Sequence, residues 1–208
     1  MSVKTILGAF LALLINTQVF AQVAFVEGTH FVSINPPVAT SNPDKVVVTE
    51  LFWYGCPHCY RLEPRVRAWA PGLPDGVVFE QIPSIVSPRW ANHARAFYTL
   101  QMMEKQELLH DKIYDALHVE RRRLNSVDEI VGFVSEQGVD EKAFRDTWNS
   151  FPVDAQLRKN FSKEKKYGHD GVPALIVNGK YRTSAAMAGD NQRLLEVVEF
   201  LVQRELRQ

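Results

Sequence analysis

The chain has 208 residues, of which 46% are hydrophobic and 23% are charged. This composition is typical of a folded globular protein and excludes the disordered and fibrous classes. Its 24 basic and 24 acidic residues cancel, so the protein has no field of one sign that would attract nucleic acid or an anionic membrane surface. We therefore expect no nucleic acid and no membrane surface among its partners.

Residues 1–21 are predicted to be a signal peptide. Lys4 provides a basic start, residues 6–15 form a short apolar run, and residues 19–21 match a peptidase site with cleavage after Ala21. A membrane anchor is the alternative, but the apolar run is shorter than the roughly 20 residues that cross a bilayer. The sequence therefore favours an exported protein, whose cysteines meet an oxidising environment.

The first strong structural pattern is a strand followed directly by a helix. Residues 46–53, VVVTELFW, are rich in β-branched and aromatic residues without clean alternation, which predicts a strand buried on both faces. Gly55 allows a turn, and Pro57 suits the first position of a helix over residues 57–69, because proline lacks the N–H group that would be unpaired there. Cys56 is thus predicted to cap this helix.

The two cysteines of the chain, Cys56 and Cys59, lie at the start of this helix. A disulfide between them closes too short a loop to add much stability, whereas the close spacing suits a pair that cycles between dithiol and disulfide. A zinc site is a weaker hypothesis, because no second CxxC or HxxxH motif accompanies the pair. The spacing therefore favours a redox role.

The two cysteines are expected to differ in their chemistry. A Cys56 thiolate would face the unpaired N–H groups and the positive dipole end of the helix, and His58 would add a donor or a positive charge. The pKa of Cys56 should therefore fall well below that of a free cysteine. Cys59, one turn further along, should be buried and should stay a thiol until it acts as the resolving group.

The rest of the chain changes from a sheet pattern to a helical pattern and back. From residue 90 to about residue 167 helical periodicity dominates, with breaks near 121–126, at Gly138 and at 150–152. The Asn178-Gly179 pair predicts a hairpin turn. The other predicted elements are strands at 77–82, 174–177 and 180–183 and a final helix at 192–207.

Two segments and the signal peptide together give a family resemblance. FWYGCPHCY at residues 52–60 and GVPALIVNGKY at residues 171–181 closely resemble the DsbA family of periplasmic dithiol oxidases, and the matching order of elements covers essentially the mature chain. The resemblance implies an α/β thioredoxin-like fold with an inserted helical subdomain. The thioredoxin-like parts would be residues 22–89 and 168–208, and the insertion would be residues 90–167.

The resemblance also implies which residues catalyse the reaction. They are Cys56, Pro57, His58, Cys59, Glu50 and Pro173. Because a buried carboxylate is costly, Glu50 in its apolar strand either reaches solvent through a local distortion or, as the resemblance implies, accepts a proton near Cys59. Glu63 matches another acidic position of the family, although an exposed helix residue fits the pattern at least as well. The strand at 77–82 has Glu80 and Gln81, and it lacks the lysine with which the family forms a glutamate–lysine pair.

Val172 and Pro173 form the implied substrate-binding segment. The resemblance implies a cis peptide bond before Pro173, packed against the disulfide, whereas base rates for an X-Pro bond favour trans. Val172 would offer its backbone N–H and C=O groups to an extended substrate. His58 and Tyr54 would add surface for this substrate, while Trp53 suits either that surface or the core.

The implied activity is donation of the disulfide to unfolded secreted polypeptides with free cysteines. Reoxidation would come from a DsbB-like, quinone-linked membrane oxidase, and neither an organic cofactor nor a metal would be needed. The implied location is the periplasm of a Gram-negative bacterium, and we expect a monomer. Two alternatives stay open: a disulfide reductase or isomerase, and a peptide-binding chaperone or zinc-binding module whose cysteines do not cycle.

Overall fold

The described part of the protein begins after the predicted signal peptide. The computed structural model describes residues 25–87 and 90–208, so the signal peptide predicted at residues 1–21 lies outside the described residues. Within those described ranges, no helix has both the length and the apolar character that a bilayer span requires.

A five-stranded mixed sheet forms the centre of the molecule. Its strands are β1 (Val32–Ser33), β2 (Val46–Phe52), β3 (Val77–Pro83), β4 (Ala174–Val177) and β5 (Tyr181–Thr183). They lie in the order β1-β5-β4-β2-β3, and β2 pairs in parallel with β3 while the other pairs are antiparallel. The four predicted strands are confirmed to within one residue, whereas the two-residue β1 was not predicted.

Eight α-helices lie within the described residues. They are α1 (Pro57–Trp69), α2 (Ala91–Met102), α3 (Gln106–His118), α4 (Val127–Glu136), α5 (Glu141–Trp148), α6 (Phe151–Glu164), α7 (Ala185–Ala188) and α8 (Asn191–Glu205). The predicted helix at 57–69 and the predicted breaks in the helical region are confirmed. A further break at residues 103–105, where Glu104 has a φ of 57°, separates α2 from α3 and was not predicted.

The central strand β2 is buried along its whole length. On one face Val48 packs with Leu62 of α1 and Val198 of α8, and on the other face Leu51 packs with Ile176 of β4. Burial of both faces explains why the apolar residues of this strand do not alternate with polar ones. The strand therefore provides a rigid support for whatever follows its carboxyl end.

Helices α2–α6 form a block inserted between β3 and β4. Its core includes Phe97, Leu109, Phe133 and Phe144, and the same cluster contains Phe52 at the end of β2. The helical block is therefore packed directly against the strand end that leads to the two cysteines.

Candidate active site

The carboxyl end of β2 leads through a tight turn into the cysteine pair. The Cys56 N–H donates to the Trp53 carbonyl at 2.9 Å, and α1 begins at Pro57. Cys56 has an extended backbone, and its Sγ accepts a hydrogen bond from the Cys59 N–H at 3.4 Å. The predicted position of Cys56 as the N-cap of the helix is confirmed.

Gly55 in this turn is required by the packing of a neighbouring aromatic ring. A Cβ atom at position 55 would overlap the indole of Trp53. That indole is held in place because it stacks on Trp90, with ring centroids 4.4 Å apart and planes 6° from parallel. The turn therefore accepts only glycine without displacing the Trp53–Trp90 stack.

The environment of Cys56 stabilises its thiolate. The pKa of Cys56 falls to about 6, chiefly because its sulfur shares a hydrogen bond with the Cys59 side chain; burial opposes the shift. The backbone N–H groups of Cys59 and His58 lower the pKa further, and the charge of His58 lowers it least. At neutral pH the Cys56 sulfur is therefore largely ionised and nucleophilic.

Cys59 has the opposite character. Its side chain is fully buried, and burial raises its pKa well above the ordinary value, with the Cys56 side chain and the charges of Cys56 and Glu50 adding to the effect. Cys59 therefore stays a neutral thiol when the pair is reduced.

The segment before β4 lies against the Cys56 sulfur. The Cys56 thiol donates to the Val172 carbonyl at 3.4 Å, the Val172-Pro173 peptide bond is cis, and Pro173 is buried. This contact joins residues that lie 116 positions apart in the sequence. The resemblance correctly implied both the cis bond and the closeness of this segment to the pair.

Glu50 is a buried carboxyl that interacts electrostatically with both cysteines. Burial, followed by the charge of Glu63, raises its pKa to about 8. Its Oε2 accepts a hydrogen bond from Gln81 Nε2 at 2.9 Å, whereas its Oε1 has no hydrogen-bond partner among the residues that the structure describes. Glu50 is therefore mostly protonated at neutral pH and has one oxygen free to exchange a proton.

Gln81 connects Glu50 to a second buried carboxyl. Its Nε2 donates to Glu63 Oε2 as well, also at 2.9 Å, and the same Glu63 oxygen lies 3.3 Å from His110 Nε2. Burial acts to raise the pKa of Glu63, but the contacts with His110 and Gln81 outweigh it, so the pKa lies below its ordinary value. One carboxyl is thus kept neutral while its neighbour is ionised.

A cavity gives this polar chain access to water. Glu63 and Gln81 line a cavity of about 880 Å³, together with Arg67 of α1, Gln106 of α3 and Lys163 of α6. A cavity of this size has room for water molecules beside these polar side chains. Glu63 therefore lies at the wall of a space that can admit water.

Comparison with known proteins identifies the family of this chain. Residues 73–202 match the model of the DSBA-like thioredoxin domain. The chain is 36% identical to the thiol:disulfide interchange protein DsbA of Pseudomonas aeruginosa over 181 residues, which cover 87% of this chain and 86% of that protein. The identity to DsbA of Azotobacter vinelandii is also 36%, over 97% of each chain. The chain belongs to the DsbA family.

A solved structure from the same family supports the fold and the enzyme class. The crystal structure of Pseudomonas aeruginosa DsbA matches this chain with a TM-score of 0.85 and 36% sequence identity, over 88% of this chain and 95% of that one. The predicted thioredoxin-like α/β fold is confirmed, and the protein is a DsbA-family thiol:disulfide oxidoreductase. As in other enzymes of this class, it acts on thiol groups of substrate proteins.

The position of Tyr54 in this DsbA-family chain differs from the prediction. Its side chain is fully buried, its ring packs edge-on against Phe52 and Tyr114, and its hydroxyl lies 2.9 Å from His110 Nδ1. The prediction that Tyr54 adds surface for a substrate is therefore wrong, because the ring points into the helical block. The half-buried Trp53 lies nearer the surface.

The two residues between the cysteines are exposed. His58 Nδ1 accepts a hydrogen bond from Arg61 Nη2 at 3.0 Å, so the imidazole has a fixed orientation and a cationic neighbour. Pro57 and His58 are therefore accessible to a partner that approaches Cys56.

His110 and Gln81 are the functional residues that sequence reasoning missed. His110 was noted only among scattered histidines, and within the described residues no three His, Cys, Asp or Glu side chains are grouped to hold a metal ion. The signal for His110 was its place beside Leu109 and Ile113 on the apolar face of α3, because a buried histidine needs a polar partner. Gln81 was recognised only as the absence of a lysine. Neither pattern could show that both side chains reach Glu63.

Proposed function

We propose that this protein donates the Cys56–Cys59 disulfide to cysteine pairs of unfolded, exported polypeptides. The observation that carries the proposal is the asymmetry of the pair. Cys56 has a pKa of about 6 and lies beside the Val172 carbonyl, whereas Cys59 is fully buried with a raised pKa. A disulfide whose reduced form is stabilised as a thiolate is a strong oxidant.

In the first step a substrate thiolate attacks Cys56 Sγ. A sulfur–sulfur bond forms between the substrate and Cys56, the Cys56–Cys59 bond breaks, and its electron pair goes to the Cys59 sulfur. Because burial favours the neutral form of Cys59, this sulfur needs a proton. Glu50 provides one, since its pKa of about 8 keeps it protonated at neutral pH.

In the second step the other substrate cysteine completes the transfer. Its thiolate attacks the substrate sulfur of the mixed disulfide, a disulfide forms in the substrate, and Cys56 leaves as a thiolate. Two electrons have then passed from the substrate to the Cys56–Cys59 pair. Cys56 is a good leaving group for the same reason that its pKa is low.

The surface around Cys56 suits an extended polypeptide. Val172 precedes β4 and lies beside the sulfur, so its backbone groups can pair with a substrate strand whose cysteine reaches Cys56. Exposed Pro57 and His58 flank the same sulfur. We assign substrate binding to Val172, Pro173 and His58, and catalysis to the four residues of the motif with Glu50 and Pro173.

The sequence and the redox scheme also support a cellular location, a reoxidising partner and an oligomeric state. The predicted signal peptide supports export to the periplasm of a Gram-negative bacterium, and the family resemblance supports reoxidation by a DsbB-like, quinone-linked membrane oxidase. Because both electrons are held by cysteine sulfurs, the scheme requires neither an organic cofactor nor a metal. The scheme uses a single cysteine pair, and we propose that the protein acts as a monomer.

The test is the equilibrium of the disulfide with glutathione, combined with oxidation of a two-cysteine peptide. We expect one equivalent of oxidised protein to convert the peptide dithiol to its disulfide, and glutathione equilibria to favour the reduced protein. Cys56→Ser is the control and should abolish the reaction. An equilibrium that favours the protein disulfide would instead identify a reductase. Activity retained by Cys56→Ser, or stoichiometric zinc, would identify a module whose cysteines do not cycle.

A further inference from the structure

His169 is a buried side chain next to the substrate-binding segment. Only 2% of its side chain is exposed, and its Nδ1 lies 3.1 Å from the Gly171 carbonyl. Because a carbonyl only accepts, Nδ1 carries the hydrogen and donates it. Gly171 directly precedes Val172, whose own carbonyl contacts the Cys56 sulfur. The imidazole thus holds the backbone one residue before the contact with the active cysteine.

The other nitrogen of His169 faces a buried carboxylate on the helical block. Its Nε2 lies 3.7 Å from Glu164 Oε2, and the Glu164 side chain is 3% exposed. Both Glu164 oxygens accept the Ile85 N–H, at 2.9 and 3.1 Å. Glu164 is therefore fixed by its own hydrogen bonds, and its carboxyl group lies beside the imidazole.

Glu164 connects two loops that flank the active site. Ile85 follows β3, and its neighbour Ser84 donates its N–H to the Phe52 carbonyl at 2.7 Å, at the end of β2. One carboxylate at the end of α6 thus supports both the loop beside β2 and, through His169, the segment that precedes Pro173. The redox chemistry described above uses neither Glu164 nor His169.

We propose that His169 is a positioning residue that fixes the Gly171–Val172 backbone in the orientation that accepts a substrate polypeptide, with Glu164 as its support. The proposal rests on the proposed function, because it assigns Val172 to substrate binding. A substrate strand can pair with Val172 only if the Val172 backbone groups keep a defined position relative to the Cys56 sulfur. The hydrogen bond from His169 restricts the orientation of the preceding carbonyl, that of Gly171. Small thiols make no strand contact and do not need this support.

The test compares three variants that differ in where they place a donor. His169→Asn puts an amide N–H near the position of Nδ1 and, with glutathione disulfide present to reoxidise the protein, should keep the KM for a two-cysteine peptide close to that of the wild type. His169→Gln and His169→Ala place no donor there and should raise this KM about threefold to tenfold, the effect of one lost hydrogen bond. The rate with a small dithiol and the pKa of Cys56, measured from thiolate absorbance, should stay unchanged in all three variants.

Each possible result separates positioning from a general structural role. Equal KM values for the Asn and Gln variants, or a parallel loss of the small-dithiol rate, would overturn the proposal. If the Ala variant does not fold, as judged by circular dichroism, the Asn and Gln pair still decides the question. A wild-type protein that fails to oxidise the peptide would instead refute the proposed function, so the two failures can be distinguished.

Discussion

The surroundings of Cys56 and those of Cys59 are built from different parts of the molecule. Around Cys56 the groups that stabilise the thiolate are the Cys59 side chain and the backbone N–H groups at the start of α1, next to exposed side chains. Near Cys59 a network of buried and half-buried side chains begins at Glu50. It is built from four elements, β2, β3, α1 and α3, which supply Glu50, Gln81, Glu63 and His110 in that order.

This difference shows how one helical turn keeps two thiols in opposite states. The Cys59 side chain and backbone N–H groups stabilise the Cys56 thiolate without a partner that must itself be charged. Low-dielectric surroundings keep Cys59 neutral, and we propose that a network of carboxyls moves its proton. The groups that act on the Cys56 thiolate are therefore close to it in sequence. The carboxyl network near Cys59 instead depends on the packing of the helical block against the sheet.

The largest expected effect is the selectivity of alkylation in the reduced protein. At pH 7 a small electrophile should modify Cys56 almost completely before Cys59 reacts, because only Cys56 is ionised and Cys59 is fully buried. Mass mapping of the labelled peptide measures this ratio. Cys56→Ser should lose all exchange activity, and the matched Cys59→Ser variant should instead accumulate mixed disulfides. Preferential labelling of Cys59 would reverse the assigned roles.

The second prediction concerns Glu50, the buried carboxyl near Cys59, and its effect on stability. Glu50 has a pKa of about 8 in the folded protein, against about 4.3 when unfolded. The folded state thus holds the proton more tightly, so this contribution to stability is complete below the unfolded pKa and is lost as pH rises through 8. Glu50→Gln should therefore increase the unfolding free energy by up to about 5 kcal/mol at pH 8 and slow exchange at least about tenfold.

Denaturant unfolding at pH 4 and pH 8 measures the stability change, and stopped-flow exchange measures the rate. Glu80→Gln is the matched control on the adjacent strand. Burial acts to raise the pKa of Glu80, but contacts with Ser41, Thr49 and Lys163 outweigh it and leave the pKa lowered. The control should therefore lose stability at pH 8. A loss of stability in Glu50→Gln as well would contradict the raised pKa of Glu50, which makes its ionised form unfavourable in the folded protein.

Much of this arrangement was predictable, and the parts that were not share a physical cause. The apolar run of β2, the N-terminal proline of α1 and the hairpin signal at Asn178-Gly179 act locally, so sequence patterns located them. β1 is too short to show any alternation. The contact between Gln81, Glu63 and His110 joins three elements, and no local pattern encodes the distance between side chains that meet only after folding. Tyr54 was misplaced because an aromatic residue beside a motif suits the surface and the core equally well.

The third prediction compares the two redox forms of the whole protein. The reduced form should be the more stable, because only it contains the thiolate. Cys56 has a pKa of about 6 when folded against about 8.5 when unfolded, so the advantage is complete above pH 8.5, shrinks below it and vanishes below about pH 6. The advantage at alkaline pH is at most about 3 kcal/mol, and solvent screening reduces it to about 2 kcal/mol.

Thermal melts of both forms between pH 5 and pH 9 measure this difference, with the short loop of the disulfide providing little compensation. An oxidised form that melts higher at neutral pH would contradict the proposed direction of electron flow. Equal dependence on pH in the two forms would show that groups other than Cys56 dominate.

The smallest effect is expected at His110, the residue that links the helical block to the proton network. His110→Phe keeps a ring between Phe52, Tyr54 and Tyr114 but removes the contact with Glu63, whose pKa should rise because burial is then less opposed. With Glu63 less charged, the repulsion that helps to raise the pKa of Glu50 weakens, so that pKa should fall. The unfolding free energy should drop by only about 1 kcal/mol, because the hydroxyl of Tyr54 loses its partner while packing is retained.

Carboxyl NMR titrations of the two glutamates measure these shifts. His93→Phe is the matched control, because His93 is also buried in the helical block but its Nε2 donates to the Leu124 carbonyl at 2.8 Å. The control should lose similar stability and leave both carboxyl titrations unchanged. Unaltered titration of Glu63 in His110→Phe, or an equal shift in the control, would mean that α3 packs against the site without controlling its protons. Opposite shifts of the two glutamates, seen only in His110→Phe, would show that the inserted helices determine which of the two carboxyls near Cys59 holds the proton.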